Sequence, residues 1–305
     1  MPLPKTSILG VSITSSSRQE ILDFLFHVLS KNDKRQITNS AFTIVTPNPE
    51  QIIFAQKNEK FKNILNRADI ALPDGAGVVW AMNRKPFGRT STVSSVEPLR
   101  VGQKTESREQ KTVFRISGVD FMVDLCHIAA EKKIPVLFYG GRGGVAGEAF
   151  LTLKKTIPNL DGIAMDGAEF SDGFKNYDLG MRNKEEKKNH KSYVLNLNSN
   201  ENEMIKHLVQ VIKDKNIQVV FLGLGAPKQE YLMEALRLSY AHCPMSLMIM
   251  VVGGAFDMLA GKVTRAPKFI QTMGFEWLWR LVQEPWRWRR QLSIIEFLWL
   301  LRTKK

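Results

Sequence analysis

The sequence is poor in the residue types that build disulfide frameworks and metal centres. Its 305 residues include only two cysteines and five histidines. Cys126 and Cys243 are far apart and show no spacing typical of metal ligands, which argues against a disulfide-stapled fold and a zinc site. We interpret both as buried thiols in a reducing compartment, and we expect neither a bound metal nor a cofactor.

Long apolar runs are also lacking. The longest apolar stretches, residues 245–252 and 294–301, are much shorter than the ~20 residues that a membrane-spanning helix needs. The first ten residues contain one lysine and no apolar run of the kind found in a signal peptide. We therefore expect a cytoplasmic protein without a transmembrane helix.

Acidic residues are outnumbered, and the excess of basic charge is concentrated near the C-terminus. The formal net charge is +13, and from Lys262 onward ten basic residues face three acidic ones. The same stretch holds five of the six tryptophans. A basic, tryptophan-rich helix without a spanning run is typical of docking at the inner face of a membrane. Burial of these tryptophans in a core or a dimer interface is the alternative, which leaves a homo-oligomer open.

Short β-branched runs alternate with helical periodicity from residue 6 to about residue 259, a pattern typical of α/β domains. We predict a Rossmann-like, mostly parallel sheet flanked by helices, two of which cover residues 17–30 and 49–58. The predicted strands are Phe42–Val45, Ile70–Ala71, Val136–Tyr139, Gly162–Met165, Val219–Leu222 and Leu247–Val252.

The predicted domain organisation is a catalytic core over residues 1–260 and a helical, membrane-docking appendage over residues 261–305. Two stretches interrupt the core. Residues 86–111 are polar with little periodicity, and residues 173–192 carry a run of mixed charge. We interpret both as loops or insertions.

Polar residues follow the first two of these strands. Ligands of open parallel sheets bind beyond the carboxyl ends of the strands, so Thr46, Asn48 and Asp74 are candidates to face a ligand. Asp74, on a Pro-Asp-Gly turn, is the best placed carboxylate for a catalytic base. Each also has a structural interpretation, because Thr, Asn and Asp commonly cap helices or form turns.

Glycine-rich turns follow two later strands and predict contacts with a nucleotide or its diphosphate. Glycine lets backbone N–H groups approach a phosphate closely, and a helix that begins there favours the anion. Lysine adds a positive charge, and glutamate or aspartate can accept from sugar hydroxyls. The predicted donor-binding residues are Gly140, Gly141, Gly143, Gly223, Pro227, Lys228, Glu230 and Asp257.

In this order, the motifs resemble those of the WecG/TagA/CpsF glycosyltransferases, glycosyltransferase family 26. The resemblance covers nearly the whole chain. Its motifs are Thr46-Pro47-Asn48-Pro49-Glu50, Pro73-Asp74-Gly75-Ala76-Gly77, the Gly140-Gly141 turn, Gly225-Ala226-Pro227-Lys228-Gln229-Glu230, Arg265-Ala266-Pro267, Glu276-Trp277-Leu278-Trp279-Arg280-Leu281 and Glu284-Pro285-Trp286-Arg287-Trp288-Arg289-Arg290. The insertion over residues 86–111 is longer than is usual in the family.

The resemblance implies an inverting, metal-independent transfer of an N-acetylmannosamine-type sugar from a UDP-sugar to a polyprenyl-diphosphate-linked acceptor. It implies that Asp74 is the general base, with Thr46 and Asn48 beside it, and that Gln229 holds the sugar or the diphosphate. It also implies a catalytic role for Arg115. The acceptor diphosphate would be gripped by Arg280, Arg287 and Arg290.

Three other functions fit parts of the sequence. A catalytically inactive nucleotide-sugar-binding scaffold at the membrane is the main alternative. The glycine-rich turns are also found in oxidoreductases that bind a dinucleotide, but the full dinucleotide-binding fingerprint is absent from the sequence. Basic charge would suit nucleic acid, yet the tryptophans fall in an amphipathic pattern without a nucleic-acid-binding signature, so we expect no nucleic-acid partner.

Overall fold

A computed structural model describes residues 3–30, 41–84, 112–167, 199–240, 246–285 and 288–303. Both predicted insertions lie outside the described residues, as do Cys243 and Arg287. Cys126 is buried, as predicted, and burial raises the pKa of its thiol. Among the described helices, none combines the length and the apolar character that crossing a membrane requires.

The core is a six-stranded parallel sheet, which confirms the predicted fold class. Its strand order is β4-β3-β8-β7-β5-β6. The strands are β3 (Phe42–Val45), β4 (Ile70–Ala71), β5 (Val136–Gly140), β6 (Gly162–Met165), β7 (Val219–Gly223) and β8 (Met248–Val251). All six coincide with predicted strands, and every boundary agrees to within one residue. Strands β4, β5 and β8 are buried along their whole length, as expected for a parallel sheet covered on both faces, whereas β6 at the sheet edge is half-buried throughout.

A small antiparallel hairpin near the start of the chain, formed by β1 (Lys5–Ile8) and β2 (Val11–Thr14), was not predicted from sequence. Leu9 and Gly10 turn the chain with φ of 49° and 77°. The alternation of Val11 and Ile13 with polar residues was the available signal. The hydroxyl of Thr14 accepts from the backbone N–H of Ala71 at 3.1 Å, which ties the hairpin to β4.

Helices cover both faces of the sheet over two hydrophobic clusters. The described helices before residue 260 are α1 (Arg18–Ser30), α2 (Pro49–Lys57), α3 (Glu59–Arg67), α4 (Ala76–Asn83), α5 (Gly118–Glu131), α6 (Val145–Thr156), α7 (Ser199–Asp214), α8 (Lys228–Ser239) and α9 (Ala255–Leu259). The capping box between Asn48 and Gln51, with Pro49 in the first turn, fixes where α2 begins.

Three helices follow: α10 (Lys268–Thr272), α11 (Glu276–Gln283) and α12 (Trp288–Thr303). Helix α12 packs against α2 and α4, with Phe297 fully buried in the core. Lys57 and Glu296 form an ion pair at 2.8 Å across the α2–α12 contact. The segment that the sequence predicts to be an appendage therefore contributes to the packing of the α/β core.

We expect Phe297→Ala to lower the free energy of unfolding by about 3–5 kcal/mol, because it empties a filled site between α12 and the core. Chemical denaturation followed by tryptophan fluorescence measures this. Ile295→Ala, on the exposed side of the same helix, is the matched control and should change stability by less than about 0.5 kcal/mol. Equal stability of the two variants would contradict the packing of α12.

Candidate active site

A cavity of about 340 Å³ lies at the carboxyl ends of four strands. The loops after β3, β4, β7 and β8 form its base, the start of α5 forms one side, and α11 and α12 close it. The turn after β5 contributes nothing to this cavity. Its lining residues are Thr46, Asn48, Pro49, Glu50, Gln51, Asp74, Gly75, Ala76, Gly77, Arg115, Ser117, Gly118, Val119, Gly225, Ala226, Gln229, Val252, Gly253, Gly254, Ala255, Met258, Gly274, Glu276, Trp277, Arg280, Ser293 and Ile294.

Asp74 and Arg115 face each other in this cavity, although 41 positions separate them in the chain. The backbone N–H of Ile116 donates to the carbonyl of Pro73 at 3.1 Å and aligns the two segments. Nε and Nη2 of Arg115 each lie 3.3 Å from Oδ1 of Asp74. Burial raises the pKa of Asp74 above its ordinary value, Arg115 opposes the shift, and Glu276 adds to it. A carboxylate with a raised pKa is suited to proton transfer.

Thr46 and Asn48 lie beside Asp74. Thr46 is buried under the start of α5, where a Cβ on Gly118 would lie 3.2 Å from its methyl group and 3.7 Å from Oδ2 of Asp74. Asn48 is also the N-cap of α2, since Oδ1 accepts from the backbone N–H of Gln51 at 2.9 Å. Both interpretations of Asn48 therefore coexist: its oxygen caps a helix while the residue lines the cavity.

Gln229 lines the cavity, and its amide is held from three directions. Its Oε1 accepts from the backbone N–H groups of Gly225 at 3.2 Å and Gly253 at 3.0 Å. Its Nε2 donates to Oε1 of Glu230 at 3.0 Å, and Gln51 Nε2 donates to the same oxygen at 2.7 Å. Gln229 thus connects the loops after β7 and β8, and its orientation is fixed.

Glu230 is fully buried and does not line the cavity. Burial raises the pKa of its carboxyl to about 7, against the opposing effect of the Gln229 hydrogen bond. The structure places its carboxylate behind Gln229, where it orients two amides.

The glycine-rich turn after β5, which the sequence predicts to contact a phosphate, lies outside the cavity and makes contacts of its own. The backbone N–H of Gly144, at the start of α6, donates to the carboxylate of Asp166 at 2.9 Å. Asp166 therefore accepts from one backbone N–H at the start of α6. Gly140 is required for another reason: a Cβ there would lie 2.6 Å from the backbone of Gly223, so the two strand ends approach too closely for side chains.

Other predicted donor-binding residues do not line the described cavity. Gly141, Gly143, Gly223, Pro227, Lys228 and Asp257 are not among its lining residues. The backbone carbonyl of Asp257 accepts from Lys262 and Val263, which shapes the exit from α9. Their proposed contacts with a nucleotide remain predictions.

Of the three arginines predicted to bind the acceptor diphosphate, Arg280 lines the cavity. Its Nε donates to Glu284 at 2.8 Å, and its guanidinium lies against Gly254, where a Cβ would come within 2.5 Å of Nη2. Arg287 is outside the described residues, and only the backbone of Arg290 is described, within α12.

Sequence reasoning did not assign site roles to several residues that reach the cavity or its charges. Glu276 and Trp277 line it, and Arg265 pairs with Glu276 and Asp120 nearby. The motifs around Arg265 and Glu276 were visible, but nothing in the linear pattern showed that α11 would return to Asp74. Among the described residues, no group of three or more His, Cys, Asp or Glu side chains is arranged to hold a metal ion.

A sequence profile of the glycosyl transferase WecG/TagA/CpsF family matches residues 6–100 and 99–305. The chain belongs to this family. The N-acetylglucosaminyldiphosphoundecaprenol N-acetyl-beta-D-mannosaminyltransferase of Bacillus spizizenii is 30% identical over 260 residues, covering 85% of this chain and 78% of the relative. The enzyme of the same name from Bacillus subtilis is 25% identical over 301 residues, covering 98% of this chain and 92% of the relative.

Membership of the WecG/TagA/CpsF family confirms the resemblance seen in the sequence motifs. The matched residues include the C-terminal helices as well as the sheet. In this glycosyltransferase, the segment after residue 260 is therefore part of what the family shares, and it is also the part that closes the cavity over Asp74.

The raised pKa of Glu230 predicts a pH-dependent contribution to stability. The folded state binds this proton more tightly than the unfolded chain does, so stability is lost as pH rises from the unfolded pKa to about 7. In Glu230→Gln this loss should disappear, so the variant gains stability relative to the native protein as pH rises. Thermal denaturation at several pH values measures the difference. Glu131→Gln, at an exposed position, is the control, and parallel curves for Glu230→Gln and the native protein would contradict the prediction.

Proposed function

We propose that this protein transfers an N-acetylmannosamine-type sugar from a UDP-sugar to a polyprenyl-diphosphate-linked acceptor, in the synthesis of a cell-surface polysaccharide or teichoic acid. The observation that carries the proposal is the position of Asp74, a carboxylate of raised pKa at the carboxyl end of a parallel strand in a cavity lined by family motifs. Two relatives named for this kind of transfer, which match most of the chain, support the substrate class.

In the proposed reaction, Asp74 accepts the proton of an acceptor hydroxyl as the hydroxyl oxygen attacks the anomeric carbon of the donor sugar. The bond from that carbon to the diphosphate oxygen breaks, UDP leaves with the bonding electrons, and the configuration at the carbon inverts. Thr46 and Asn48 offer a hydroxyl and an amide to the sugar beside the base. Gln229 forms the opposite wall, behind which Glu230 holds its amide.

Departure of UDP concentrates negative charge, which preorganised positive groups stabilise. Arg115 and Arg280 line the cavity and supply this charge. The start of α5, a helix of 14 residues, adds the positive end of its dipole next to Thr46 and Asp74. We propose that these groups compensate the diphosphates of donor and acceptor without a divalent metal ion.

The test is release of UDP by the purified full-length protein from UDP-N-acetylmannosamine, with a short-chain lipid diphosphate-linked N-acetylglucosamine acceptor, detergent and chelator. Release should require the acceptor and survive chelation. Absence of release from several UDP-sugars, together with tight UDP binding, would support the inactive scaffold instead.

We expect Asp74→Asn to lower the rate of this release by about a hundredfold or more, because the amide cannot accept the proton. Asp161→Asn is the matched control. Asp161 is exposed and precedes β6, at the sheet edge opposite the cavity. The Asp161→Asn variant should therefore release UDP at the native rate. A native rate in Asp74→Asn would show that Asp74 is not the catalytic base.

We also propose that the C-terminal helices dock on the inner face of the membrane, where a polyprenyl-linked acceptor resides. Eleven of the fifteen exposed large apolar side chains in the described residues lie after residue 268. We call these the apolar face: Phe269, Met273, Phe275, Trp277, Leu278, Val282, Trp288, Leu292, Ile295, Leu298 and Trp299. Basic residues in the same segment suit anionic headgroups.

Flotation with vesicles that contain anionic lipid measures this docking. We expect Ile295→Ser, which removes a side chain that is 66% exposed on the apolar face, to weaken partitioning by roughly tenfold, the worth of one buried aliphatic side chain. Leu151→Ser, at a site 60% exposed on α6, removes a similar side chain outside the apolar face and should leave partitioning unchanged. Equal weakening in both variants would contradict docking through the apolar face.

A further inference from the structure

Arg115 lies between two carboxylates and contacts them unequally. Its Nη1 is 2.6 Å from Oε2 of Glu276, whereas Nε and Nη2 are each 3.3 Å from Oδ1 of Asp74. Both contacts with Asp74 fall on one oxygen, so the guanidinium does not form the two-oxygen pair that Arg and carboxylate groups make when the pairing is strong. The shorter ion pair belongs to Glu276, which has no part in the reaction proposed above.

Glu276 is itself held in place from the other side. It is the first residue of α11, and its side chain is only 15% exposed. Its Oε1 lies 3.6 Å from Nε of Arg265, and Arg265 donates to both oxygens of Asp120 at 2.5 and 2.6 Å. Charges of alternating sign therefore run from the loop after β4 to the start of α5 through the C-terminal segment, with Glu276 at the centre.

We propose that Glu276 is a positioning residue for the transfer reaction, which draws the guanidinium of Arg115 away from Asp74 and leaves one oxygen of Asp74 open to the proton of the acceptor hydroxyl. The inference rests on the proposed role of Asp74 as the base. Without Glu276, Arg115 is free to pair with both oxygens of Asp74, and such a pair makes a carboxylate a weaker base.

The negative charge of Glu276 favours a more basic Asp74, as does its contact with Arg115. Burial is the main cause that raises the pKa of Asp74, Arg115 lowers it, and the negative charge of Glu276 raises it. Loss of Glu276 therefore removes a like charge at the same time as it releases Arg115. The charged residues that line the cavity around Asp74 are Glu50 from α2, Arg115 from the segment before α5, and Glu276 and Arg280 from α11, with Arg265 and Asp120 connected through Glu276.

The experiment measures kcat/KM for the transfer as a function of pH in the full-length protein and four variants, one of them a control. In Glu276→Gln we expect the acidic limb of the profile to move to lower pH by roughly one unit, the usual effect of one nearby charge. Glu276→Asp keeps the charge and should return the limb toward its native position. Arg265→Gln removes the cation behind Glu276 and should move the limb to higher pH.

Glu296→Gln is the matched control, because Glu296 lies in the same C-terminal segment but pairs with Lys57 on α2. Its acidic limb should coincide with the native one. Thermal denaturation establishes whether each variant is folded. If Glu276→Gln does not fold, the shift of the acidic limb to higher pH in Arg265→Gln tests the inference in its place.

A Glu276→Gln profile that is lower at every pH with an unmoved acidic limb would overturn the inference and give Glu276 a purely structural role. If Asp74→Asn is inactive in that case, the proposed base stands and only the role of Glu276 fails. A native rate in Asp74→Asn would instead remove the base on which both proposals depend.

Discussion

A single buried carboxylate oxygen joins the loops from which the cavity is built. Oε1 of Glu230 accepts from Gln51 in α2 and from Gln229 in α8, and Gln229 in turn accepts from the loops after β7 and β8. A buried carboxylate is costly unless its hydrogen bonds are made, so the amides that donate to Oε1 are fixed with it, whereas Oε2 has no hydrogen-bond partner among the described residues. The walls of the cavity depend on this arrangement, because these hydrogen bonds fix the segments after β3, β7 and β8 relative to one another.

The catalytic side of the cavity depends on charge. Asp74, Arg115 and Glu276 come from three distant parts of the chain, and Arg115 lowers the cost of partly burying the two carboxylates, which repel each other. The same contacts decide how basic Asp74 is. Structure and chemistry are therefore linked: the ion pairs that dock α11 against the core also set the state of the proposed base.

The C-terminal segment serves both the core and the proposed membrane contact. Phe297 is buried against α2 and α4, whereas Ile295 and Trp299 on the same helix are exposed. Helix α12 therefore presents one apolar surface to the core and a second to solvent. Because Ser293 and Ile294 also line the cavity, the helix that would face a lipid surface borders the place where a lipid-linked acceptor would react.

The six strands of the sheet and the positions of Thr46, Asn48, Asp74 and Gln229 at strand ends could be predicted from sequence. Buried β-branched runs followed by glycine, proline and polar residues are local signals, and parallel strands place their carboxyl ends at one edge. The hairpin of β1 and β2 was missed because four-residue strands give a weak alternation.

By itself, the sequence determined the α/β fold class, the family and the candidate base, since each is carried by local patterns and ordered motifs. Only the tertiary structure decided that Glu276 shares Arg115 with Asp74 and that Glu230 lies behind Gln229. It also decided that the backbone N–H of Gly144 donates to Asp166. Such pairings depend on distances and burial between residues far apart in the chain, and no spacing along the sequence encodes them.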